Sequence, residues 1–208
     1  VRPDTEAVHG QYLVVDVEAR GEEAVARCLC GAVHRATPGD KNHVIGVGKG
    51  TARAVAGPDA CRVVAIQAAE GAFKEWSDTT AEDRGKMLEN ACHLIREKAK
   101  DIAMALTQEQ GKTSFEANLE IHHLLHGLEF YAGLASKVRG AHVPLPQRGA
   151  YGMVVRQPIG VCAGIVPWNF PLTLMGTKLG PALATGNTII IKPASTTPLA
   201  TLICVEQI

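Results

Sequence analysis

The most regular pattern of apolar and polar positions lies in the last quarter of the chain. Residues 160–166 form a short apolar run that Pro167 closes, which is typical of a buried strand. Residues 172–184 are apolar over the length of a helix, and Gly186 then supplies the glycine that commonly follows a helix end. Residues 188–191 are β-branched throughout, which favours a second buried strand. This order of elements predicts one right-handed βαβ unit with parallel strands.

Helical spacing of apolar residues dominates the middle of the chain. It predicts a first helix over residues 63–76. Thr80 is the capping residue of a second helix, whose pattern continues without interruption to Gly111. Thr113 begins a third helix with a capping-box sequence, and Gly140 is expected to end it. A group of helices therefore precedes the βαβ unit.

Shorter elements are predicted on either side of these helices. The pattern favours a strand over residues 11–18 and a short helix over residues 24–30. Residues 143–146 contain two prolines and predict an extended connector, whereas residues 151–156 alternate loosely and predict a strand. The predicted fold class is α/β. An N-terminal helical segment leads into a doubly wound, parallel, Rossmann-like sheet that is truncated after its first βαβ unit.

The functional prediction concerns the two loops that follow the predicted parallel strands. In open parallel sheets, ligands bind outside the carboxyl ends of the strands. In this chain those ends are residues 167–169 and residues 192–195. We therefore expect the chemistry to lie in these two loops.

A glycine-rich stretch, GVGKGT at residues 46–51, invites comparison with a phosphate-binding loop. The spacing does not fit that motif, because His43 stands where its first glycine is required and Gly50 where a Ser or Thr is required. The third glycine of a dinucleotide-binding motif is also replaced, by Thr51. A turn between strands is the better interpretation.

Metal-binding residue types are present, but their spacing is not that of a metal site. His122 and His126 are four residues apart on a predicted helix, but His123 stands where the zinc-protease motif requires Glu. Cys28 and Cys30 form a C-x-C pair without a second pair nearby. We therefore predict no metal site and interpret the histidines as part of a solvated helix flank.

Composition narrows the possible partners and the compartment. The 21 basic and 21 acidic residues give a formal net charge of zero, which predicts no nucleic-acid partner. No apolar run reaches the ~18 residues that a membrane span requires, and the N-terminus lacks the apolar core of a secretory signal. The six cysteines are scattered, which indicates reduced thiols in a cytoplasmic protein.

Several motifs in the second half of the chain resemble those of NAD(P)-dependent aldehyde dehydrogenases. The most specific are QPIGVCAGIVPWNFP at 157–171, KLGPALATGN at 178–187 and IIIKPASTTPL at 189–199, with EQGKT at 109–113 as a further match. Their order and spacing fit the N-terminal portion of that family from residue 69 onwards.

The resemblance also suggests a division of the chain. Residues 1–60 match poorly, residues 61–142 correspond to the helical part of the family's N-terminal region, and residues 143–208 hold a β element and the first βαβ unit of an incomplete dinucleotide-binding domain. In the family that β element belongs to an oligomerisation surface. The resemblance therefore implies a parent protein that is a homodimer or homotetramer.

The family oxidises aldehydes to carboxylic acids through a cysteine thiolate, hydride transfer to a nicotinamide and a Glu-activated water. The resemblance implies that the Asn169 amide stabilises the oxyanion of the tetrahedral intermediate and that Lys192 serves the cofactor's ribose. These two residues are the catalytic candidates. The alternative for Asn169 is a local Asx-turn with the backbone. Lys178 also matches a family lysine, and its place in an apolar helix requires a polar partner.

The resemblance implies NADP or NAD as the cofactor. The implied cofactor-binding residues are Ile165, Val166, Pro167, Trp168, Asn169, Lys192, Ala194 and Ser195, with Trp168 as a wall of the pocket where nicotinamide and aldehyde meet. Ser195 stands where many NAD-specific relatives carry Glu, so we expect NADP to be accepted. Lys192 alone does not distinguish the two cofactors.

The resemblance also implies that this chain is a fragment. The family's nucleophilic Cys, general base Glu and glycine-containing turn under the pyrophosphate all follow the position of Ile208. The chain alone is therefore expected to be inactive. The alternative is a non-catalytic fragment that binds nucleotide or pairs with another subunit.

Overall fold

The computed structural model of the chain describes residues 13–20, 23–28 and 58–208. Side-chain environments are described from residue 65 onwards. The glycine-rich stretch at residues 46–51 lies outside the described residues. So do the first two residues of the strand predicted over 11–18 and the last two of the short helix predicted over 24–30.

Helices make up most of the described chain, and they are α1 (Pro58–Asp78), α2 (Ala81–Glu97), α3 (Ala99–Gln110), α4 (Ser114–Leu134), α5 (Pro171–Ala184) and α6 (Leu199–Val205). The prediction of one continuous helix between Thr80 and Gly111 is wrong, because the helix breaks at Lys98. Ile95 and Ile102, on either side of the break, are both fully buried. The apolar pattern therefore continues across the break and gives no sign that one helix ends there and another begins.

The predicted helix ends are mostly confirmed. Thr80 caps α2 by accepting a hydrogen bond from the Asp83 N–H at 3.2 Å, and Thr113 caps α4 in a reciprocal capping box. Gly111 has a positive φ of 88° at the end of α3. The prediction for Gly140 is wrong, since α4 ends at Leu134 and a short 3₁₀ turn follows it.

Gly140 instead permits a close approach of two backbone segments. A Cβ at this position would lie 2.2 Å from the carbonyl oxygen of Val154. Val154 is the last residue of β4 (Tyr151–Val154), which pairs with β3 (Ala141–Pro144) in a two-stranded antiparallel sheet. The first half of the stretch expected to be a connector, residues 143–144, is therefore part of a strand, and much of this hairpin is exposed.

The larger sheet contains β1 (Leu13–Arg20), β2 (Glu23–Cys28), β5 (Val161–Ile165) and β6 (Thr188–Lys192) in the order β2-β1-β6-β5. The parallel pairing of β5 with β6 confirms the predicted βαβ unit. β1 adds an antiparallel neighbour on the other side of β6, which gives an α/β fold with a mixed sheet. The short helix predicted over residues 24–30 is wrong, because β2 pairs with β1 and pairing overrides local propensity.

Helix α5 lies in close contact with α4 along its length. A Cβ added to Gly176 would lie 2.7 Å from Leu124 Cδ1, and one added to Gly180 would lie 2.7 Å from Tyr131 Cδ2. On its other side α5 packs against β5 and β6. This packing places the beginning of α5 immediately after the carboxyl end of β5. No helix among the described residues is long and apolar enough to cross a membrane.

Candidate functional site

The carboxyl ends of β5 and β6 lie side by side, so the two loops predicted to be functional adjoin each other. Ile165 is the register partner of Lys192, and the Val166 N–H donates a hydrogen bond to the Lys192 carbonyl at 3.0 Å. Further along, the Thr197 hydroxyl lies 3.5 Å from the Trp168 carbonyl oxygen. We call residues 167–170 the first loop and residues 193–198 the second loop.

The first loop is held from outside by the junction between α3 and α4. The Gln110 side-chain amide donates to the carbonyl oxygens of Trp168 at 3.0 Å and Asn169 at 2.6 Å. The Lys112 ammonium donates to the same Asn169 carbonyl at 2.8 Å, and it lies 4.0 Å from the centroid of the Phe170 ring. A cation over an aromatic face is a favourable electrostatic contact. The backbone of the loop is therefore fixed by side chains about sixty positions earlier.

The Asn169 side chain remains exposed while its carbonyl is held. Among residues 65–208 its amide makes no hydrogen bond, so the alternative of a local Asx-turn is not formed there. The amide is thus a donor with no protein partner there, at the carboxyl end of β5.

Glu120 links Lys112 to the beginning of α5. It is only 1% exposed and forms an ion pair with Lys112. Its other carboxylate oxygen accepts hydrogen bonds from the N–H groups of Leu172 at 2.9 Å and Thr173 at 3.2 Å. These contacts satisfy a charge that would be costly to bury alone, and they place it at the positive end of the helix dipole.

The second loop is held from the same junction, by Glu109. The two oxygens of this carboxylate accept hydrogen bonds from the N–H groups of Leu199 at 2.7 Å and Ala200 at 3.0 Å, at the start of α6. Burial raises the pKa of Glu109, and the two backbone hydrogen bonds act in the opposite direction. Side chains within residues 109–112 therefore hold the first loop and the beginning of the helix that follows the second loop.

Two polar side chains, Lys192 at the end of β6 and Ser195 in the second loop, are the predicted cofactor-binding groups here. Lys192 is half-buried, and among the side chains described from residue 65 onwards its ammonium has no hydrogen-bond or ion-pair partner. Ser195 is exposed, and the carbonyl of Ala194 accepts a hydrogen bond from the Thr197 N–H at 3.2 Å. One ammonium and one hydroxyl therefore stand at the end of β6 without a carboxylate partner in that part of the chain.

Apolar side chains flank these groups. Ile165 is 73% exposed and Trp168 is 61% exposed, while Pro167 is half-buried. Val166 is only 2% exposed, so its side chain belongs to the core. The expectation of a buried β5 holds for one face of the strand only, because Ile165 lies on the other face.

Lys178 lies on α5 above β5. Its ammonium donates to the carbonyl of Leu174 at 3.2 Å, which supplies the polar partner that its position requires. Its stem passes close to Gly164, where an added Cβ would lie 3.3 Å from Lys178 Cδ. The glycine leaves room for the lysine between helix and sheet.

Comparison with known proteins supports the resemblance stated above. The model of the aldehyde dehydrogenase family matches residues 34–208. The chain belongs to the aldehyde dehydrogenase family.

Among curated members of the family, 4-trimethylaminobutyraldehyde dehydrogenase of Sus scrofa is 43% identical over 143 residues, which cover 69% of this chain and 29% of that protein. A solved structure described as an E. coli NADP-dependent enzyme superposes with a TM-score of 0.67 at 40% identity, covering 68% of this chain and 30% of the other. Betaine aldehyde dehydrogenase from Staphylococcus aureus, solved with NAD⁺, gives a TM-score of 0.66 at 37% identity, covering 68% and 28%. The chain therefore spans about three tenths of these relatives.

Of the cysteines whose side chains the structure describes in this aldehyde dehydrogenase chain, Cys92 lies in α2, Cys162 in β5 and Cys204 in α6. Cys92 and Cys204 are buried, and Cys162 is half-buried. Burial raises the pKa of the Cys92 thiol to about 11 and raises that of Cys204 as well. These two thiols stay protonated at neutral pH, which is the state of structural cysteines.

The histidines of α4 are exposed. No group of three or more His, Cys, Asp or Glu residues is arranged to hold a metal in the part of the chain that the structure describes.

Sequence reasoning did not identify the residues that hold the first loop. Gln110 and Lys112 entered only as letters of the EQGKT motif, and Glu120 was not singled out. The available signal was a glutamate in the apolar stretch of α4, since Glu120 is followed directly by Ile121 and preceded by Leu119. A buried carboxylate needs a partner, and that requirement points to a nearby lysine.

Proposed function

We propose that this chain is part of an aldehyde dehydrogenase that oxidises an aldehyde to a carboxylic acid with NAD or NADP. Family membership supports the reaction class. For this chain's own residues, the proposal rests on the exposed side-chain amide of Asn169, whose backbone carbonyl is held by Gln110 and Lys112. The names of the curated relatives cover trimethylamino, dioxo and semialdehyde compounds, so the proposal concerns the aldehyde group itself.

Asn169 is proposed to donate a hydrogen bond to the oxyanion that forms when a nucleophile adds to the aldehyde carbonyl. A preorganised donor of this kind contributes about 3–4 kcal/mol to transition-state stabilisation. The first N–H groups of α5 are not competing donors, because Glu120 already accepts hydrogen bonds from Leu172 and Thr173. The exposed side-chain amide of Asn169 is the donor in this loop that we assign to the oxyanion.

The residues at the ends of β5 and β6 fit a nicotinamide dinucleotide in chemical type. Lys192 and Ser195 offer an ammonium and a hydroxyl suited to ribose hydroxyls or a phosphate, with Ala194 between them. Ile165 and Trp168 offer exposed apolar surface for a flat ring, and the backbone of Val166 and Pro167 continues that surface. When bound, the nicotinamide would accept the hydride that the aldehyde carbon loses.

We infer that NADP is accepted as well as NAD. Ser195 replaces the carboxylate that would repel a 2′-phosphate, and Lys192 has no carboxylate partner among residues 65–208. The matched structures include an enzyme described as NADP-dependent and one solved with NAD⁺. In the full-length gene product, kcat/KM for NADP should be no less than a tenth of that for NAD. Ser195→Glu should shift the ratio towards NAD, and an unchanged ratio would contradict the inference.

We further propose that the whole protein is a homodimer or homotetramer and that the β3–β4 hairpin contributes to the subunit interface. The hairpin exposes the apolar side chains of Tyr151, Met153 and Val154, and an exposed apolar patch of this kind is typical of a protein–protein interface. Analytical ultracentrifugation of the full-length protein tests this. Met153→Glu in the hairpin should shift the protein to a smaller species.

Two measurements test the enzyme proposal. Sequencing the gene beyond codon 208 shows whether translation continues into a cysteine-containing catalytic segment. In the full-length protein, Asn169→Ala should lower kcat about a hundredfold or more, with little change in cofactor affinity. A stop codon at that point supports the non-catalytic alternative, and an unchanged kcat in Asn169→Ala excludes the oxyanion role.

A further inference from the structure

We propose that Lys112 and Glu120 are positioning residues for aldehyde oxidation, which orient the Asn169 amide by fixing the backbone from the Asn169 carbonyl to the beginning of α5. This inference rests on the proposed function of Asn169. The two residues touch neither aldehyde nor cofactor in this proposal, and they act through the first loop.

A single ion pair joins the first loop to the beginning of α5. Lys112 donates to the Asn169 carbonyl at 2.8 Å, and Glu120 accepts from the N–H groups of Leu172 and Thr173 at 2.9 and 3.2 Å. Lys112 and Glu120 are paired with each other inside the fold. The backbone from Asn169 to Thr173 is therefore tied at its beginning and its end to the same pair of charges.

The contacts leave the functional group of Asn169 free. Both Gln110 and Lys112 bind its carbonyl oxygen, and the side-chain amide has no partner among residues 65–208. With the backbone held, only the side-chain torsions of Asn169 remain to be set. A donor must lie within a few tenths of an ångström of its working position, since misplacement by about 1 Å costs on the order of a hundredfold in rate.

Stability alone does not account for a charged pair at this place. Buried ion pairs contribute little net stability, because desolvation offsets much of their attraction, and apolar side chains of similar volume often serve as well. Charge-assisted hydrogen bonds do supply direction, since each one fixes a donor and an acceptor along a line. Lys112 and Glu120 provide three such bonds to the backbone around one exposed amide.

Gln110 also donates a hydrogen bond to the Asn169 carbonyl, so loss of Lys112 is expected to loosen the loop without releasing it. In the full-length enzyme, Lys112→Met should lower kcat by about tenfold to a hundredfold, while the KM for cofactor stays within about twofold. Glu120→Gln keeps the volume and one acceptor oxygen, and it should lower kcat in the same way. It serves as the second variant if Lys112→Met fails to fold.

The matched control is Arg84→Met. Arg84 is also a buried cation that binds backbone carbonyls, those of Thr79 and Ala184, but it lies at the opposite end of α5. It should lower the melting temperature and leave kcat unchanged. A fall in kcat equal to that of Lys112→Met would show that any loss of a buried cation near α5 disturbs activity, and it would overturn the inference.

A double-mutant cycle separates positioning from general destabilisation. In an Asn169→Ala background, Lys112→Met and Glu120→Gln should no longer change kcat, because the group that they position is gone. If the effects on kcat multiply instead, the inference is wrong although the role of Asn169 stands. If Asn169→Ala alone leaves kcat unchanged, the proposed function of Asn169 fails, and that result is distinct from the other two.

Discussion

Helix α5 has a buried charge at each end, and the two charges have opposite signs. At its amino end, Glu120 accepts hydrogen bonds from the N–H groups of Leu172 and Thr173. At its carboxyl end, Arg84 donates to the carbonyl of Ala184 at 3.2 Å. Each charge complements the dipole of the helix end beside it. The same electrostatic arrangement therefore appears twice on one helix.

The two ends differ in what else the charge holds. Glu120 is paired with Lys112, whose ammonium binds the Asn169 carbonyl in the first loop. Arg84 has no carboxylate within salt-bridge distance among residues 65–208, and its second hydrogen bond goes to the carbonyl of Thr79 between α1 and α2. Burial lowers the pKa of Arg84, but a guanidinium remains charged at any pH of interest. The charges at the amino end therefore help to hold the candidate site, whereas Arg84 at the carboxyl end joins α5 to the segment between α1 and α2.

The largest expected effect on stability is at the amino end of α5. Glu120→Ala leaves the Lys112 ammonium without its counter-ion in a nearly buried position and removes the acceptor of two N–H groups. We expect the free energy of unfolding to fall by about 3–5 kcal/mol. Urea denaturation of the full-length protein measures this. A loss as small as that of a surface substitution would show that the pair is not desolvated as described.

At the carboxyl end, Arg84→Met should cost less. Two carbonyls lose a donor, but no opposite charge is left unpaired, so the free energy of unfolding should fall by about 2 kcal/mol. The same denaturation experiment compares the two variants directly. If Arg84→Met proves more destabilising than Glu120→Ala, the two ends do not differ in the way that their partners indicate.

The middle of α5 provides a comparison without charge. Gly180→Ala places a Cβ 2.7 Å from Tyr131 Cδ2 and 3.2 Å from its Cγ, and the ring has to move. We expect a loss of about 1–2 kcal/mol from overpacking. Gly127→Ala on α4 is the control, because no atom lies within 4 Å of its added Cβ. It should raise stability by about 0.5–1 kcal/mol through helix propensity, and destabilisation there would contradict this account.

Local signals in the sequence predicted the helix ends and the parallel strands that position this site. Thr113 and Gly111 mark helix ends by rules that depend on their own neighbours, and both are confirmed. The β-branched run at residues 188–191 and the apolar run before Pro167 predicted the parallel strands. These features depend on residues that are adjacent in sequence, so a pattern shows them.

The contacts that fix the first loop could not be obtained from such patterns. Lys112 is eight positions from Glu120 and 57 positions from Asn169, and no periodicity links the three. The strand β2 was predicted as a helix for the same reason, because its pairing with β1 is a tertiary contact. Helix α5 brings the loop to the α3–α4 junction, and only its packing on α4 fixes which side chains meet there.

The smallest expected effect concerns Glu109, which anchors the second loop as Glu120 anchors the first. Burial raises the pKa of Glu109 above its usual value of 4.5, so the folded protein holds this proton more tightly than the unfolded chain does. The stabilisation from protonation is therefore fully present below pH 4.5 and is lost as the pH rises through the folded pKa. Glu109→Gln removes this dependence and keeps one acceptor for the N–H groups of α6.

Urea denaturation of wild type and Glu109→Gln between pH 4.5 and neutrality checks the sign of this effect. The stability of wild type relative to the variant should decrease with rising pH, and groups that titrate in both proteins cancel in the difference. A difference that grows with pH would mean that the hydrogen bonds from Leu199 and Ala200 outweigh burial and lower the pKa. Glu109 would then be held in its charged form by the hydrogen bonds at the start of α6.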